Sequence, residues 1–402
     1  MKLVLHVTAG PHRGREFTFG RHDTFLVGRV ADAHLRLSHD DPCFSRRHFV
    51  LEVNPPRCRL MDFKSRNGTE VNGRRVDVAE IRDGDVIKAG HTVFRVSITG
   101  PAPEPAPARD EYPTGPGTWD WVPVEDKPAA IGGYEIGRVL GRGGMGVVYE
   151  ARRIADGAPV ALKTFVPVPG LSDRDVDLFL REARIIEQLR HPNVVRFREV
   201  GRDGEVVYLA MELLNGRDAG TLVKDRGPLP IRTAVRIACH MLAGLAHAHG
   251  QGIVHRDIKP SNLLLHSQDG KKLAKLADFG LARAYEKSRM CGATFQGEIG
   301  GTPTYMAPEQ ITHFHDVRPA ADQYSAAATL YTLLTGRQTH DFPSGAVDCL
   351  LAISTEDPVP IRERRDAIPE GLAEAIHRAL SREPADRFEG VSTFRHTLLP
   401  WA

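Results

Sequence analysis

The sequence predicts a multidomain chain, with an all-β sandwich first and a bilobal α+β unit after it. Three observations carry this. Residues 1 to 99 hold short runs of β-forming residues with turn residues between them at close spacing. A proline-rich stretch follows that cannot build a packed core. Beyond it, strands give way to longer segments of helical period, and 402 residues exceed what one small core accommodates.

Bulk properties narrow the class. A formal net charge of +2 is too small to argue for nucleic acid or a membrane surface. The five cysteines, Cys43, Cys58, Cys239, Cys291 and Cys349, have no paired C-x-x-C spacing. That disfavours a zinc site or a disulfide framework and suits a reducing compartment. The opening run Met1 to Val7 reads as a strand, too short for a signal sequence and broken by His6. No segment reaches the length of a membrane span, so a cytoplasmic location is expected.

In residues 1–99, strands are expected over Leu3–Val7, Phe17–Phe19, Thr24–Val27, Phe49–Val53 and Val93–Ile98. Gly10-Pro11, Asn54-Pro55-Pro56, Asn67-Gly68, Asn72-Gly73 and Asp83-Gly84 punctuate them. Taken alone, an Asn-Gly pair is a hairpin turn and a single surface arginine is solvated. The ordered set Gly28-Arg29, Ser45 to His48, Asn67-Gly68-Thr69 and Asn72-Gly73 is more specific. Together these residues resemble the forkhead-associated (FHA) domain, an eleven-strand sandwich that binds phosphothreonine peptides. A dianionic phosphate needs guanidinium, hydroxyl and backbone donors on loops at one end of a rigid scaffold. The resemblance implies that Arg29 pairs with the phosphate, Ser45 donates its hydroxyl, Arg46 adds a further contact and Asn67 holds the peptide backbone. His48 reads as a buried brace for the loops, and Gly28 and Gly68 as backbone requirements. Arg66 replaces the small hydroxyl residue often found before the Asn, so no phosphate role is assigned to it.

Residues 100–132 form the linker. The Pro-Ala-Pro-Glu-Pro-Ala-Pro run from Pro101 is an extended, semi-rigid spacer. Trp119 and Trp121 are unusual there; indoles lying on an adjacent domain explain them more simply than a partner motif. Thr114 and Thr118 are phosphorylation candidates by exposure alone.

The second unit, residues 133–399, opens with Gly141, Gly143 and Gly146 in a G-x-G-x-x-G turn. The β-formers after Gly146 make this a turn between strands and exclude a Rossmann helix. Lys163 lies inside an apolar strand and needs a counter-charge. A helix over Asp173–Arg190 supplies Glu182, with Phe179, Ile186 and Leu189 on its apolar face; Glu187 is the alternative and reads as solvated. Val206–Met211 is a strand, and Pro230–His249 is a core helix. His247 and His249 read as surface residues at its end. The stretch from His255 to Leu265 sets Asp257, Lys259 and Asn262 on one polar loop between apolar runs, and Asp278 follows in Leu-Ala-Asp-Phe-Gly. A carboxylate to orient a hydroxyl, a cation for phosphate charge and oxygens for Mg²⁺ are what phosphoryl transfer requires.

This second unit resembles bacterial eukaryotic-like (Hanks-type) serine/threonine protein kinases. The resemblance implies catalytic roles for Asp257, Lys259, Lys163 and Glu182, and metal-holding roles for Asn262 and Asp278. It implies an ATP site built from Gly141, Gly143, Gly146, Val148, Ala161, Lys163, Met211, Glu212 and Leu214. Met211 would guard the rear pocket, and adenine would meet backbone near Glu212 and Leu214. ATP with Mg²⁺, or Mn²⁺ in its place, would be the cofactor set. Protein substrates and phosphothreonine peptides would be the partners. An activation segment runs from Gly280 to Glu309 and contains Ser288, Thr294, Thr302 and Thr304. Thr294 is the preferred switch, while Thr302 would bond Asp257 and Lys259. Arg256 is a cation for a loop phosphate, and Glu309 is expected to pair with Arg387. One departure is Ala326-Ala327-Ala328, where a larger residue and a glycine are usual, and it puts the packing of that helix in question. The expected function is therefore an autophosphorylating protein kinase with a phosphothreonine reader. The alternative is a phosphopeptide-binding adaptor with an inactive kinase fold.

Overall fold

A computed structural model describes residues 2–19, 23–30, 33–37, 41–54, 57–99, 129–143, 146–165, 173–268, 271–279, 303–312, 317–342 and 346–402. The linker indoles Trp119 and Trp121, with Thr114, Thr118, Ser288, Thr294 and Thr302, lie outside the described residues.

The first unit contains eleven strands: β1 (Lys2–Ala9), β2 (Glu16–Phe19), β3 (Asp23–Gly28), β4 (Leu35–Arg36), β5 (Arg47–Asn54), β6 (Arg57–Asp62), β7 (Thr69–Val71), β8 (Arg74–Val76), β9 (Val78–Glu80), β10 (Val86–Ala89) and β11 (Thr92–Thr99). They form one sheet ordered β2-β1-β11-β10-β7-β8 and another ordered β4-β3-β5-β6-β9. Alternation sets the inner faces: Leu3, Leu5 and Val7 of β1 and Phe94 and Val96 of β11 are buried. They join Phe49, Leu51, Leu60 and Ile87 in a single core. Each such side chain contributes about 1.5–3 kcal/mol by leaving water. All five strands read from runs of β-formers are present, each one to three residues longer than its run. The other six were not located from the residues: β4, β7, β8 and β9 span two or three residues each, β10 spans four, and β6 interleaves its apolar positions with arginines.

The second unit begins with a sheet ordered β12-β13-β14-β15-β17-β16. Its strands are β12 (Ala130–Ile131), β13 (Tyr134–Gly143), β14 (Gly146–Arg153), β15 (Pro159–Phe165), β16 (Phe197–Asp203) and β17 (Val206–Glu212). Ala130 and Ile131 fall in the stretch that composition assigned to the linker, yet they pair with Glu135 and Tyr134. Helix α1 covers Asp173–Arg184 and gives way to a 3₁₀ turn over Ile185–Gln188, so the helix expected to Arg190 stops early. The β-branched pair Ile185-Ile186 occupies the tightened turn. Its expected apolar face holds: Phe179, Ile186 and Leu189 are buried and Glu187 is exposed.

A small sheet, β18 (Gly216–Asp218), β19 (Leu263–Gln268) and β20 (Lys271–Leu276), and a set of helices complete the unit. Helix α2 (Ala219–Arg226) is capped by Asp218, whose side chain accepts from the Thr221 N–H. Helix α3 (Ile231–His249) and the helix over Pro319–Thr335 are central. The latter is buried along nearly its whole length, including Ala326, Ala327 and Ala328. The alanines therefore leave no packing fault; small residues let neighbouring helices approach closely.

The expected Glu309–Arg387 pair is present and doubly bonded, at 2.6 and 2.8 Å. Arg387 also donates to the carbonyls of Ser381, Arg382 and Ala320, and its side chain is fully buried. Replacing Arg387 with alanine orphans a partly buried carboxylate and three carbonyls. We expect a loss of about 3–5 kcal/mol, the cost of breaking a buried pair from one side. Calorimetric unfolding of the variant checks it, and an unchanged melting temperature would contradict the assignment.

Candidate functional site

The loop that carries Asp257, Lys259 and Asn262 owes its shape to a residue that local sequence signals do not mark. Asp322 is buried in the first turn of the helix over Pro319–Thr335. One carboxylate oxygen accepts the His255 N–H at 2.8 Å, and the other accepts the Arg256 N–H at 2.8 Å. His249 Nε2 binds the first oxygen at 2.7 Å. His249 is therefore a largely covered partner of Asp322 and not the surface residue expected from its place at a helix end. Burial alone would raise the Asp322 pKa, but the bonds from His249 and the loop hold it below the ordinary carboxylate range. Arg256 has a left-handed φ of 70°, and its carbonyl accepts from Gln310 Nε2 at 2.9 Å. The strained residue is thus tied on both sides.

His255 is fully buried between its neighbours. Nε2 donates to the Ala277 carbonyl at 2.9 Å, and the ring packs on Phe279. This ties the catalytic loop to the segment carrying Asp278. Asp257 accepts Lys259 Nζ at 2.9 Å and Asn262 Nδ2 at 3.0 Å on the same oxygen, Oδ2. Asn262 Nδ2 also donates to the Asp257 carbonyl at 2.8 Å, which leaves Asn262 Oδ1 as an acceptor. Asp257, Lys259 and Asn262 are therefore brought together as expected.

Lys163 on β15 meets Asp278 Oδ2 at 2.9 Å. Burial pushes the Asp278 carboxyl up, but Lys163 outweighs it and the pKa lies below the ordinary value. Asp278 has φ 60°, a second non-glycine residue in left-handed backbone. Glu182, the expected partner of Lys163, is half-buried on α1. Strand register sets the ATP-site candidates: Val148 lies opposite Lys163, and Ala161 opposite Met211. Gly141 and Gly143 end β13, and Gly143 pairs with Gly146 across the turn. Gly146 has φ 137°, and a Cβ there would sit 2.0 Å from the Thr164 carbonyl oxygen, so no other residue fits. Met211 is buried, and Leu214 packs on the core. Glu212 Oε1 accepts the Arg196 N–H at 2.7 Å and Lys275 Nζ at 2.6 Å. Lys275 was not anticipated, although a lysine in an apolar strand signals a partner. Thr304 is buried, and its Oγ1 accepts from Gln338 Nε2 at 3.0 Å.

In the β-sandwich, the loop residues meet as the motif order suggested. His48 is buried and kept neutral, its pKa lowered mainly by desolvation. Nδ1 accepts the Ser45 N–H at 2.9 Å while Nε2 faces the Gly68 carbonyl at 3.3 Å, so the imidazole braces two loops. Ser45 Oγ accepts the Arg66 N–H at 2.9 Å and keeps its own proton to donate. Arg66 thus acts through its backbone. Asn67 Nδ2 donates to the Cys43 carbonyl at 2.8 Å. Arg29 is half-buried, and its Nε is buried without a hydrogen-bond partner among the described residues. Arg46 is exposed. A Cβ on Gly28 would lie 2.0 Å from the Arg46 carbonyl oxygen. Asp62, also missed, accepts from Ser65 Oγ and Thr69 Oγ1, both at 2.6 Å.

Replacing Asp322 with asparagine keeps the volume but removes the acceptor pair for two backbone donors. For the phosphoryl transfer that the sequence leads one to expect, kcat should fall about 100-fold with a smaller change in KM for ATP, since the loop shifts while the glycine turn and Lys163 stay in place. The pH dependence follows from sign. A depressed folded pKa gives stability above the unfolded carboxylate pKa, lost as pH falls through the folded value. The Asp322 contribution therefore persists until below about pH 4. Steady-state kinetics and acid unfolding of both forms check this.

The protein kinase domain model matches residues 134–399, more than half of the chain, and the FHA domain model matches residues 17–90. Serine/threonine-protein kinase pkn3 of Myxococcus xanthus is 33% identical over 270 residues, covering 66% of this chain and 49% of the relative. Serine/threonine-protein kinase PknD of Mycobacterium tuberculosis is 36% identical over 262 residues, covering 64% and 38%. The chain thus spans about half or less of the length of these relatives. Among solved structures, the Mycobacterium tuberculosis PknI kinase domain superposes with a TM-score of 0.54 at 28% identity, covering 68% of this chain and 98% of that one. Rad53 residues 1–466 with AMP-PNP gives 0.55 at 23% identity over 100% of each chain, a likeness of fold. The chain belongs to the protein kinase family, with an FHA domain ahead of its kinase domain.

Proposed function

We propose that the chain transfers the γ-phosphoryl group of ATP to serine or threonine hydroxyls of proteins, and that its FHA domain reads phosphothreonine peptides. We assign the FHA domain to residues 1–99 and the kinase domain to 130–399, with the linker at 100–129, because Ala130 and Ile131 pair with Glu135 and Tyr134. The observation that carries the reading is the bonded set Lys163–Asp278 and Lys259–Asp257–Asn262, joined through His255 and Ala277.

In this reading Asp257 Oδ1, which has no partner among the described residues, orients the acceptor hydroxyl. Lys259 lies against the same carboxylate and offsets charge developing on the transferring group. Lys163 holds the nucleotide phosphates, and Glu182 positions Lys163. Asn262 Oδ1 and the Asp278 carboxylate are hard oxygen donors, which fit Mg²⁺, or Mn²⁺ in its place. A divalent ion bound there would neutralise phosphate charge. Gly141, Gly143, Gly146, Val148, Ala161, Met211, Glu212 and Leu214 line the nucleotide site. For the peptide, the unpartnered Arg29 Nε and the free Ser45 proton support a phosphate site, with Arg46 and Asn67 flanking it.

We further propose autophosphorylation in the activation segment. Thr294 is the favoured target, and Thr302 supports the catalytic loop. The burial of Thr304 disfavours it as an acceptor. A reader tethered to a writer works at raised effective concentration on threonines of its own chain or a neighbour's. A cytoplasmic location fits the free thiols of Cys43, Cys58, Cys239 and Cys349. Among the described residues no helix is long and apolar enough to cross a membrane.

Incorporation of labelled phosphate tests the enzyme. Asp257→Asn should lower it by about 10²–10⁴-fold; equal labelling would leave the adaptor alternative standing. Arg29→Ala should weaken binding of phosphothreonine peptides by about 30-fold or more, leaving unphosphorylated peptides unaffected. Unchanged affinity for the phosphorylated peptide would place the site elsewhere.

A further inference from the structure

Asp41, Cys43 and His91 of the FHA domain form a cluster of metal-ligating side chains outside both sites. One ligand atom from each lies within 4.8 Å of the other two. We propose that these residues bind a zinc-class divalent cation beside the phosphopeptide loops.

The donor chemistry selects the ion. A thiolate, an imidazole and a carboxylate together suit Zn²⁺ over Mg²⁺ or Ca²⁺, which take oxygen alone. Three protein ligands leave a fourth position for water, the pattern of an exchangeable site and not of a closed structural one. With metal–ligand bonds of about 2.0–2.3 Å, tetrahedral ligand atoms lie roughly 3.3–3.8 Å apart. The 4.8 Å limit on the present separations exceeds that spacing by about an ångström, the adjustment that binding would require.

The surroundings are built for it. Asp41 is fully buried. Its oxygens accept the Cys43 N–H at 3.1 Å, the His91 N–H at 2.9 Å and Thr92 Oγ1 at 2.8 Å. All three are neutral donors, and among the described residues no cation pairs with this carboxylate. A bound cation would give this buried carboxyl group a partner of opposite sign beside those three neutral donors. Oδ1 carries only one of the three bonds and keeps a lone pair for a metal. The same bonds hold Cys43 and His91 on either side of the carboxylate, the outer support that ligands require. Gly90, with φ 59°, lets the turn before His91 close on Cys43, because a Cβ there would sit 2.8 Å from the Cys43 carbonyl carbon. Exposure rises from buried Asp41 through half-buried Cys43 to exposed His91, which opens a path from solvent.

The position gives the site a consequence. The Cys43 carbonyl accepts from Asn67, and Ser45 lies two residues on. A cation holding Cys43 would fix the loop that presents both groups and tighten peptide binding. This coupling, unlike the metal site, rests on the phosphopeptide reading.

The test uses the full chain, reduced and stripped of metal, titrated first with Co²⁺ and then with Zn²⁺. Co²⁺ should give a near-ultraviolet thiolate-to-cobalt charge-transfer band that Zn²⁺ removes. Cys43→Ala should abolish the band, and His91→Ala should weaken Zn²⁺ binding by at least about tenfold. Neither side chain is buried, so folding is not at stake. Absence of the band in the unsubstituted chain, or its persistence in Cys43→Ala, would overturn the site. In the second arm, Zn²⁺ should raise phosphothreonine-peptide affinity at least about fivefold, and not in Cys43→Ala. Equal affinity with and without Zn²⁺ would overturn the coupling. A peptide that binds under neither condition would instead count against the phosphopeptide reading, with the cobalt band unaffected.

Discussion

A carboxylate taken out of water must find donors, and Asp322 finds them on the catalytic loop. Its oxygens hold two consecutive backbone N–H groups and His249, all within 2.8 Å. An unpaired buried charge would cost several kcal/mol. The depressed pKa says that the bonds outweigh that cost here. The arrangement also sustains strain. Arg256 in left-handed backbone costs on the order of 1–3 kcal/mol, and it persists because its N–H and C=O are both committed. Asp257, the next residue, inherits its direction from that fixed turn. The backbone geometry of the loop thus depends on a side chain some sixty-five residues away.

The β-sandwich repeats the principle with a different group. Neutral His48 spans Ser45 and Gly68, while Asp62 gathers Ser65 and Thr69. In both domains a buried, fully bonded polar residue sets backbone geometry, and groups with spare bonding capacity sit above it. Ser45 retains its proton and Arg29 its Nε. A phosphate site needs this division, because donors already satisfied by the protein have nothing left for a ligand.

The readable parts of the chain were those whose chemistry is local. The glycine turn, the polar loop from His255 to Leu265 and the sandwich loops each carry their signal within a few residues. The unreadable parts depended on distant partners. Asp322 could have been suspected as an acidic residue entering an apolar helix, but its partners on the loop have no signature in sequence. His249 was misread because a helix end looks solvated until another helix covers it. The alanine run after Ser325 looked like a packing fault because sequence shows residue size and not the gap to be filled. Four of the sandwich strands, at two or three residues, are too short for periodicity to register. The end of α1 was overrun because Ile186 and Leu189 continue the apolar face of Phe179 through a turn that tightens to 3₁₀.

The Lys163–Asp278 contact bears on how the kinase site manages charge. A lysine at 7% exposure cannot remain charged without a partner, and Asp278 supplies one at 2.9 Å. If the proposed function holds, nucleotide phosphates and a divalent ion would each bring a new partner of opposite sign, phosphate for Lys163 and metal for Asp278. Each residue would then exchange one compensated state for another, and neither would pass through an isolated buried charge. The desolvation cost of both groups is therefore already met by the fold and does not fall on nucleotide binding. Lys275, bonded to Glu212 and two residues before Ala277, ties the end of β17 to the strand that leads to Asp278. Under the proposed function, a largely buried ion pair of the protein itself would fix the adenine edge and the metal-holding carboxylate to one another.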